Sequence, residues 1–288
     1  MLEVRRAAAA LGLTQPALSK SLRRLELALE AKLVRRTPNG VALTAEGEAL
    51  ASHVHRLRLS LDDVTRELRD VRQGRVGLLR IGSAPGIADY LLPAPCTALL
   101  KDGAQVTINV TIGNNNVLLP GLRNGELDLI VSGMPDAPYE DLVQERLYDD
   151  EFIVFASATH PLAACKKVAI ADLVRWRWAS TANVLAWQWL QRTFQNHSLP
   201  PPRIALETGS QSLRSLIAAS SDLLCFNAKR AFCESAQHLP LVELPVKDLK
   251  WIRHVGVSHR RNAYLSPAAR RFIEILKATA KDIDRNKR

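Results

Sequence analysis

The sequence predicts a multidomain chain: a small basic helical unit with a hairpin, one long amphipathic helix, and an α/β body. Three observations carry this. A Leu stripe at helical spacing and a "PNG" turn signal fall within residues 1–43. Seven apolar residues from Leu50 to Val71 recur at alternating steps of four and three. From Val76 onward, strand-like runs alternate with helix-like ones.

Residues 4–11 read as a short Ala-rich helix, which "GLT" breaks. Thr14 can cap a second helix running to about Leu29. Pro16 is tolerated in its first turn, where backbone N–H groups have no intrahelical partner. Leu18, Leu22, Leu25 and Leu29 form one stripe, which the spacing predicts to be buried. In "LVRRTPNGVALT" the turn separates two strand-like runs, so a hairpin or wing is expected.

The long helix begins near Thr44 as cap, with Glu48 in its first turn. Its seam is Leu50, Val54, Leu57, Leu61, Val64, Leu68 and Val71, and charged residues fill the other faces. So narrow a seam suits a coiled coil; the alternative is a helix lying on its own domain. At 1.5 Å per residue, residues 50–71 extend roughly 33 Å. Gly74 and Gly77 end the helix as a hinge.

In the body, "VGLLRIGSA", "QVTINVTIG", "LDLIVSG", "EFIVFASATHPLA" and "HVGVSHRR" read as strands. Helix-like runs lie between them, "NNNVLLPGLRNG" with a Gly stop among them. That order indicates a mainly parallel sheet. "SPAARRFIEILKATAKDI" closes the chain as a helix, with Ser266 and Pro267 at its start.

Composition bounds the function. The 288 residues are 47% apolar and 24% charged, ordinary for a globular protein. The formal charge of +10 is uneven. Residues 1–36 carry a net +5, residues 76–250 a net −2 and residues 251–288 a net +7. A basic N-terminal unit is an electrostatic footprint for nucleic acid, with solvated Arg faces as the plain alternative. Neither a signal peptide nor a membrane-spanning run is visible, so a cytoplasmic location is expected. Four Cys without a CxxC, and seven His without ligand spacing, suggest no metal and no cofactor. GxSxG, HExxH and Walker motifs are absent, so no catalytic residue is assigned and an enzyme is not expected.

"RRAAAALGLTQPALSKSLRRLE…RRTPNGVALTAEGEAL" resembles the DNA-binding segment of the LysR-type transcriptional regulators. "LLRIGSA", "GELDLIVSG" and "HPLA" match further along, so the resemblance covers essentially the whole chain. It implies a winged helix-turn-helix, a dimerising linker helix and a two-lobed effector domain shaped like a periplasmic binding protein. The corresponding boundaries are 1–43, 44–75 and 76–288. Lobe I takes residues 76–149 and 254–288, and lobe II residues 150–253. Expected partners are a double-stranded DNA operator, a small-molecule effector, the chain itself as homodimer or dimer of dimers, and RNA polymerase, with no membrane. Two departures stand out. The family places a further helix ahead of "RRAAAALG", so the DNA-binding unit is expected to be truncated. Either the start is assigned too late, or the chain is a fragment, or the unit is crippled. Val34 stands where the family usually has Phe.

On this resemblance Gln15, Pro16 and Ala17 match base-reading positions of the recognition helix. Gln15 can pair with adenine, while Pro16 and Ala17 offer apolar contact to a thymine methyl. Thr14, Ser19, Lys20, Arg23 and the wing residue Arg36 complete the candidate DNA contacts, on base edges or phosphates.

Effector candidates follow from the rule that ligands sit beyond the carboxyl ends of strands. In the first lobe they are Ser83, Ala84 and Pro85, then Asn114 and Asn115, then Ser132 with Gly133. In the second they are Ser180 and Thr181, Gly209 with Ser210, and Phe226 with Asn227. A carboxylate, a sugar or an aromatic acid is the expected effector, since helix N-termini favour anions. Trp176, Trp178, Trp187 and Trp189 can stack on a ring or pack a core. Two alternatives stay open: a redox sensor using Cys225 and Cys233, and a homologue that binds ligand but not DNA.

Overall fold

The computed structural model describes residues 2–38, 40–73, 77–102, 106–135, 137–181 and 185–285. Two compact units divide at Thr65 and Arg66. The first holds α1 (Leu2–Ala10), α2 (Gln15–Ala28), the strands β1 (Val34–Thr37) and β2 (Gly40–Leu43), and the start of α3 (Ala45–Gln73).

Local chemistry accounts for these boundaries. Thr14 caps α2, its hydroxyl accepting from Ala17 N at 3.4 Å. β1 and β2 form an antiparallel hairpin, pairing Val34 with Leu43 and Thr37 with Gly40. Asn39, at the turn, lies outside the described residues. Thr44 Oγ1 accepts from Gly47 N at 3.0 Å and donates to Lys32 O. A Cβ on Gly47 would stand 2.0 Å from Leu33 O, so the first turn of α3 can pass the hairpin only with glycine there.

The α2 stripe differs from expectation. Leu18 and Leu22 are half-buried, but Leu25 and Leu29 are exposed, and α2 has no buried residue. Among the described residues ahead of α3, Ala8 and Leu33 are the buried apolar side chains, too little surface to cover a four-residue stripe. The α3 seam is exposed at Val54, Leu57, Leu61, Val64 and Leu68, so this face does not lie on a core. Gly74, read as a hinge, lies outside the described residues, and Gly77 begins a strand.

The second unit is a two-lobed α/β body. Lobe I contains β3 (Gly77–Ser83), α4 (Pro85–Leu91), α5 (Pro93–Lys101), β4 (Val106–Ile112), α6 (Asn115–Arg123) and β5 (Leu129–Gly133). The long β6 (Leu142–Ser157) then leads to lobe II. That lobe holds β7 (Arg177–Ser180), α7 (Leu185–Asn196), β8 (Arg203–Glu207), α8 (Gln211–Ala219), β9 (Leu224–Ala228), α9 (Lys229–Ala236) and β10 (Leu241–Glu243). β11 (Trp251–Arg260) returns to lobe I, and α10 (Pro267–Arg285) ends the described chain.

The strand order is β4-β3-β5-β11-β6-β9-β7-β8, with β10 on β6. Pairing is parallel among β4, β3 and β5, and among β9, β7 and β8. It is antiparallel wherever β6 or β11 takes part. The sheet is therefore mixed, because two strands must run between the lobes in opposite directions. The β6–β11 register shifts between Val255 and Gly256, where β6 holds the extra residue Leu147, and a Cβ on Gly256 would stand 2.1 Å from Met134 Sδ. Each lobe has its own core: Leu79, Ile81, Val131, Phe272 and Leu276 in lobe I, and Trp178, Leu190, Phe194 and Leu224 in lobe II.

Asp128 clamps the edge of lobe I. Its carboxylate accepts from Arg80 N at 2.9 Å, from the Arg80 guanidinium at 2.5 Å and from Arg66 Nη1 at 2.6 Å. Replacing Asp128 by Ala leaves two guanidinium groups facing each other and is expected to destabilise this unit by about 3 kcal/mol. Urea denaturation compared with the parent chain measures it; a loss under ~1 kcal/mol would show the clamp to be a solvent-screened surface pair.

Candidate functional site

Two places collect the side chains singled out by the sequence. The first is α2 with the hairpin. Gln15 is half-buried at the first position of α2, followed by exposed Pro16 and half-buried Ala17. Ser19, Lys20 and Arg23 are exposed along the helix, and Arg36 is exposed on β1 beside Arg35. Thr14 already serves as cap, so its oxygen is engaged within the chain. Glu26 fixes helix against hairpin: its carboxylate accepts from Leu33 N at 3.0 Å and Lys32 Nζ at 3.1 Å. Those bonds, the Leu33 amide first, hold its pKa below the usual carboxylate value. An α-helix with free polar side chains near its N-terminus, flanked by exposed Arg, fits a major groove and its phosphates.

The second place is a cleft of about 480 Å³ between the lobes. From lobe I it is lined by Ala84, Pro85, Asn114, Asn115 and Gly133. From lobe II come Ser180, Thr181, Gly209, Phe226 and Asn227. The chain brings these together because β3, β5, β7 and β9 all end at this crevice. Ser83, Ser132 and Ser210 do not line it. Ser83 is fully buried and donates to Val131 O at 3.2 Å; Ser132 is buried within β5. Ser210 caps α8, accepting from Leu213 N at 3.2 Å.

Sequence reasoning missed the strongest group in the cleft, Arg214. This residue lies on α8 and is 6% exposed. Its guanidinium donates to Thr181 Oγ1 and Gln211 Oε1, and its Nε finds no partner. Burial lowers its pKa from the ordinary value. No carboxylate among the described residues pairs with it, and none lines the cleft. A buried cation without a counter-ion is costly, and an anion entering the cleft removes that cost. Only its place one turn into the helix after "TGS" hinted at it. Arg253 also lines the cleft, but its Nη2 pairs with buried Asp150 at 3.1 Å, and Tyr90 donates to the same carboxylate at 3.0 Å.

The tryptophans divide. Trp178 is fully buried, Trp187 nearly so, and Trp176 packs on His160 with centroids 4.2 Å apart. Trp187 and Trp189 line the cleft, and so does Trp251, which was not singled out. The cysteines do not pair. Cys225 is fully buried on β9 among Phe155, Ala218 and Leu223, and its thiol pKa is pushed up to about 12 by burial. Cys233 is exposed on α9. No helix of the described residues is long and apolar enough to cross a membrane.

Residues 72–281 match the family model for the LysR substrate binding domain. Residues 2–48 match the bacterial regulatory helix-turn-helix protein, lysR family. A probable RuBisCO transcriptional regulator of Phaeodactylum tricornutum is 25% identical over 288 residues, covering 97% of this chain and 92% of that protein. The regulatory domain of Synechocystis PCC6803 CcmR in complex with 2-PG superposes with a TM-score of 0.62 at 21% identity, over 72% of this chain and 99% of that one. The effector binding domain of QuiR in complex with shikimate gives 0.61 at 18% identity, over 72% and 98%.

At neutral pH Cys225 has almost no thiolate, the form that reacts. A thiol reagent added to the native chain is therefore expected to label exposed Cys165 and Cys233 and to leave Cys225 untouched. Mass mapping reads the outcome, and a Cys225–Cys233 disulfide after mild peroxide would contradict it.

Proposed function

The chain belongs to the LysR family of DNA-binding transcriptional regulators with a small-molecule effector domain, and on that premise we propose how its own residues divide the work. Gln15, Pro16 and Ala17 read base edges of the operator from the N-terminus of α2. Ser19, Lys20, Arg23 and Arg36 hold backbone phosphates. The exposed seam from Val54 to Leu68 joins two copies as a coiled coil, since five apolar side chains at heptad spacing otherwise face water. The interlobe cleft takes a small organic anion. The observation that carries this last reading is Arg214: buried, unneutralised, and with a free Nε. Ala84, Pro85, Asn114 and Asn115 close over the ligand from lobe I, while Thr181 and Gln211 orient the guanidinium.

Two experiments test the two halves. Gln15→Ala is expected to relax discrimination at one operator position by ~1–3 kcal/mol. Lys20→Ala should instead weaken all sequences alike and lower the salt slope by about 0.9. Footprint titrations on matched and mismatched operators separate them, and equal loss on both for Gln15→Ala removes its base-reading role.

For the cleft, organic acids that raise the melting temperature of the full chain should lose about 10- to 100-fold in affinity on Arg214→Gln, the loss of a charge-assisted bond. Acids that stabilise both chains equally would place the anion elsewhere.

A further inference from the structure

The cleft concentrates aromatic residues. Of five Trp, four Tyr and six Phe in the chain, six line it, so one wall is built of rings. Trp189 lies nearly parallel to Phe226, 12° apart with centroids at 5.8 Å. Its plane is 28° from that of Trp251, at 6.4 Å. Trp189 and Trp251 are half-buried, so each keeps surface free for a ligand. Arg214 stands in the same lobe as Trp189 and Phe226.

Three of the six amide side chains that line the cleft, those of Asn115, Gln211 and Asn227, are engaged by the chain itself. Asn227 donates to Gln211 Oε1 at 2.7 Å, and Arg214 donates to that same oxygen. Asn115 donates to Gly133 O at 3.0 Å. A polyhydroxylated ring needs a partner for every hydroxyl it takes out of water. A flat unsaturated ring needs only an apolar or π surface, which the Trp wall supplies.

We propose that the effector is an aromatic carboxylic acid, its ring against Trp189 and Trp251 and its carboxylate on Arg214 and Thr181. This rests on the anion reading of the cleft and narrows it to one ligand class.

Calorimetric titration of the full chain with benzoate, salicylate, cyclohexanecarboxylate, gluconate and benzamide tests it. Benzoate or salicylate should bind, quench tryptophan fluorescence, and do so about three- to tenfold more tightly than the saturated acid. Trp189→Leu should erase that preference, lowering the affinity for benzoate about three- to tenfold more than that for cyclohexanecarboxylate. Trp251→Leu serves as the second variant with the same expectation, should the first fail to fold. Gluconate binding as tightly as benzoate, or an intact preference for the flat ring in both variants, overturns the aromatic assignment and leaves the anion site standing. Failure of both aromatic acids to bind at millimolar concentration also overturns it. Benzamide binding as well as benzoate overturns the anion site itself.

Discussion

The two-lobed body depends on one pairing, that of β6 with β11. These strands run antiparallel from Leu142 opposite Arg260 to Phe152 opposite Trp251. Each also belongs to a lobe: β11 pairs with β5 through Val255–Ser258, and β6 pairs with β9 through Phe152–Phe155. Both lobes are thus hung on a shared two-stranded ribbon, and the cleft is the space between them. The ribbon places polar groups at the crossing. Asp150 is buried, held by Tyr90 and Arg253, and Arg253 in turn lies over the Phe152 ring with 4.9 Å to its centroid. A charged pair at the crossing of two lobes fixes their register more than it stabilises them, because desolvation offsets much of the attraction.

The cleft is built on a deliberate deficit. Lobe II buries a guanidinium and gives it a hydroxyl and an amide oxygen but, among the described residues, no carboxylate. Nearby Cys225 cannot take that place, since burial keeps its thiol protonated. On the proposed reading, a ligand that completes the site carries a negative charge, on a scaffold that suits the neighbouring rings. The cation, the ring wall and the opposing lip thus come from four different elements: α8 for the cation, α7 and β11 for the ring wall, and α6 for the lip.

The N-terminal unit works differently. Its features are local: a cap at Thr14, a proline in the first turn, and a glycine where α3 passes Leu33. Glu26 adds the tie between helix and hairpin, holding Arg36 and the α2 side chains on one rigid frame. On the proposed reading such a frame matters, because side-chain register against the groove is set by the scaffold.

How much was legible follows from the range of the interactions. Helix α2, the hairpin, α3 and α10 were readable, because caps, turns and periodicity act over a few residues and are written in neighbouring letters. The strand ends that converge on the cleft were readable too, since Ala84, Asn114, Thr181, Gly209 and Phe226 follow apolar runs. The first ten residues of β6 were not: "LVQERLYDDE" has no clear alternation, and only β11, a hundred residues away, makes it a strand. The burial of the α2 stripe was misread for the same reason, as periodicity shows which face is apolar but not whether anything covers it. Arg214 and Trp251 were missed because an isolated Arg or Trp carries no local signal; what gives each its role is a neighbour brought from another element. The sequence by itself determined the order of the elements and the polar chemistry that α2 exposes. Only tertiary packing decided which cation lost its water, and so what the cleft can hold.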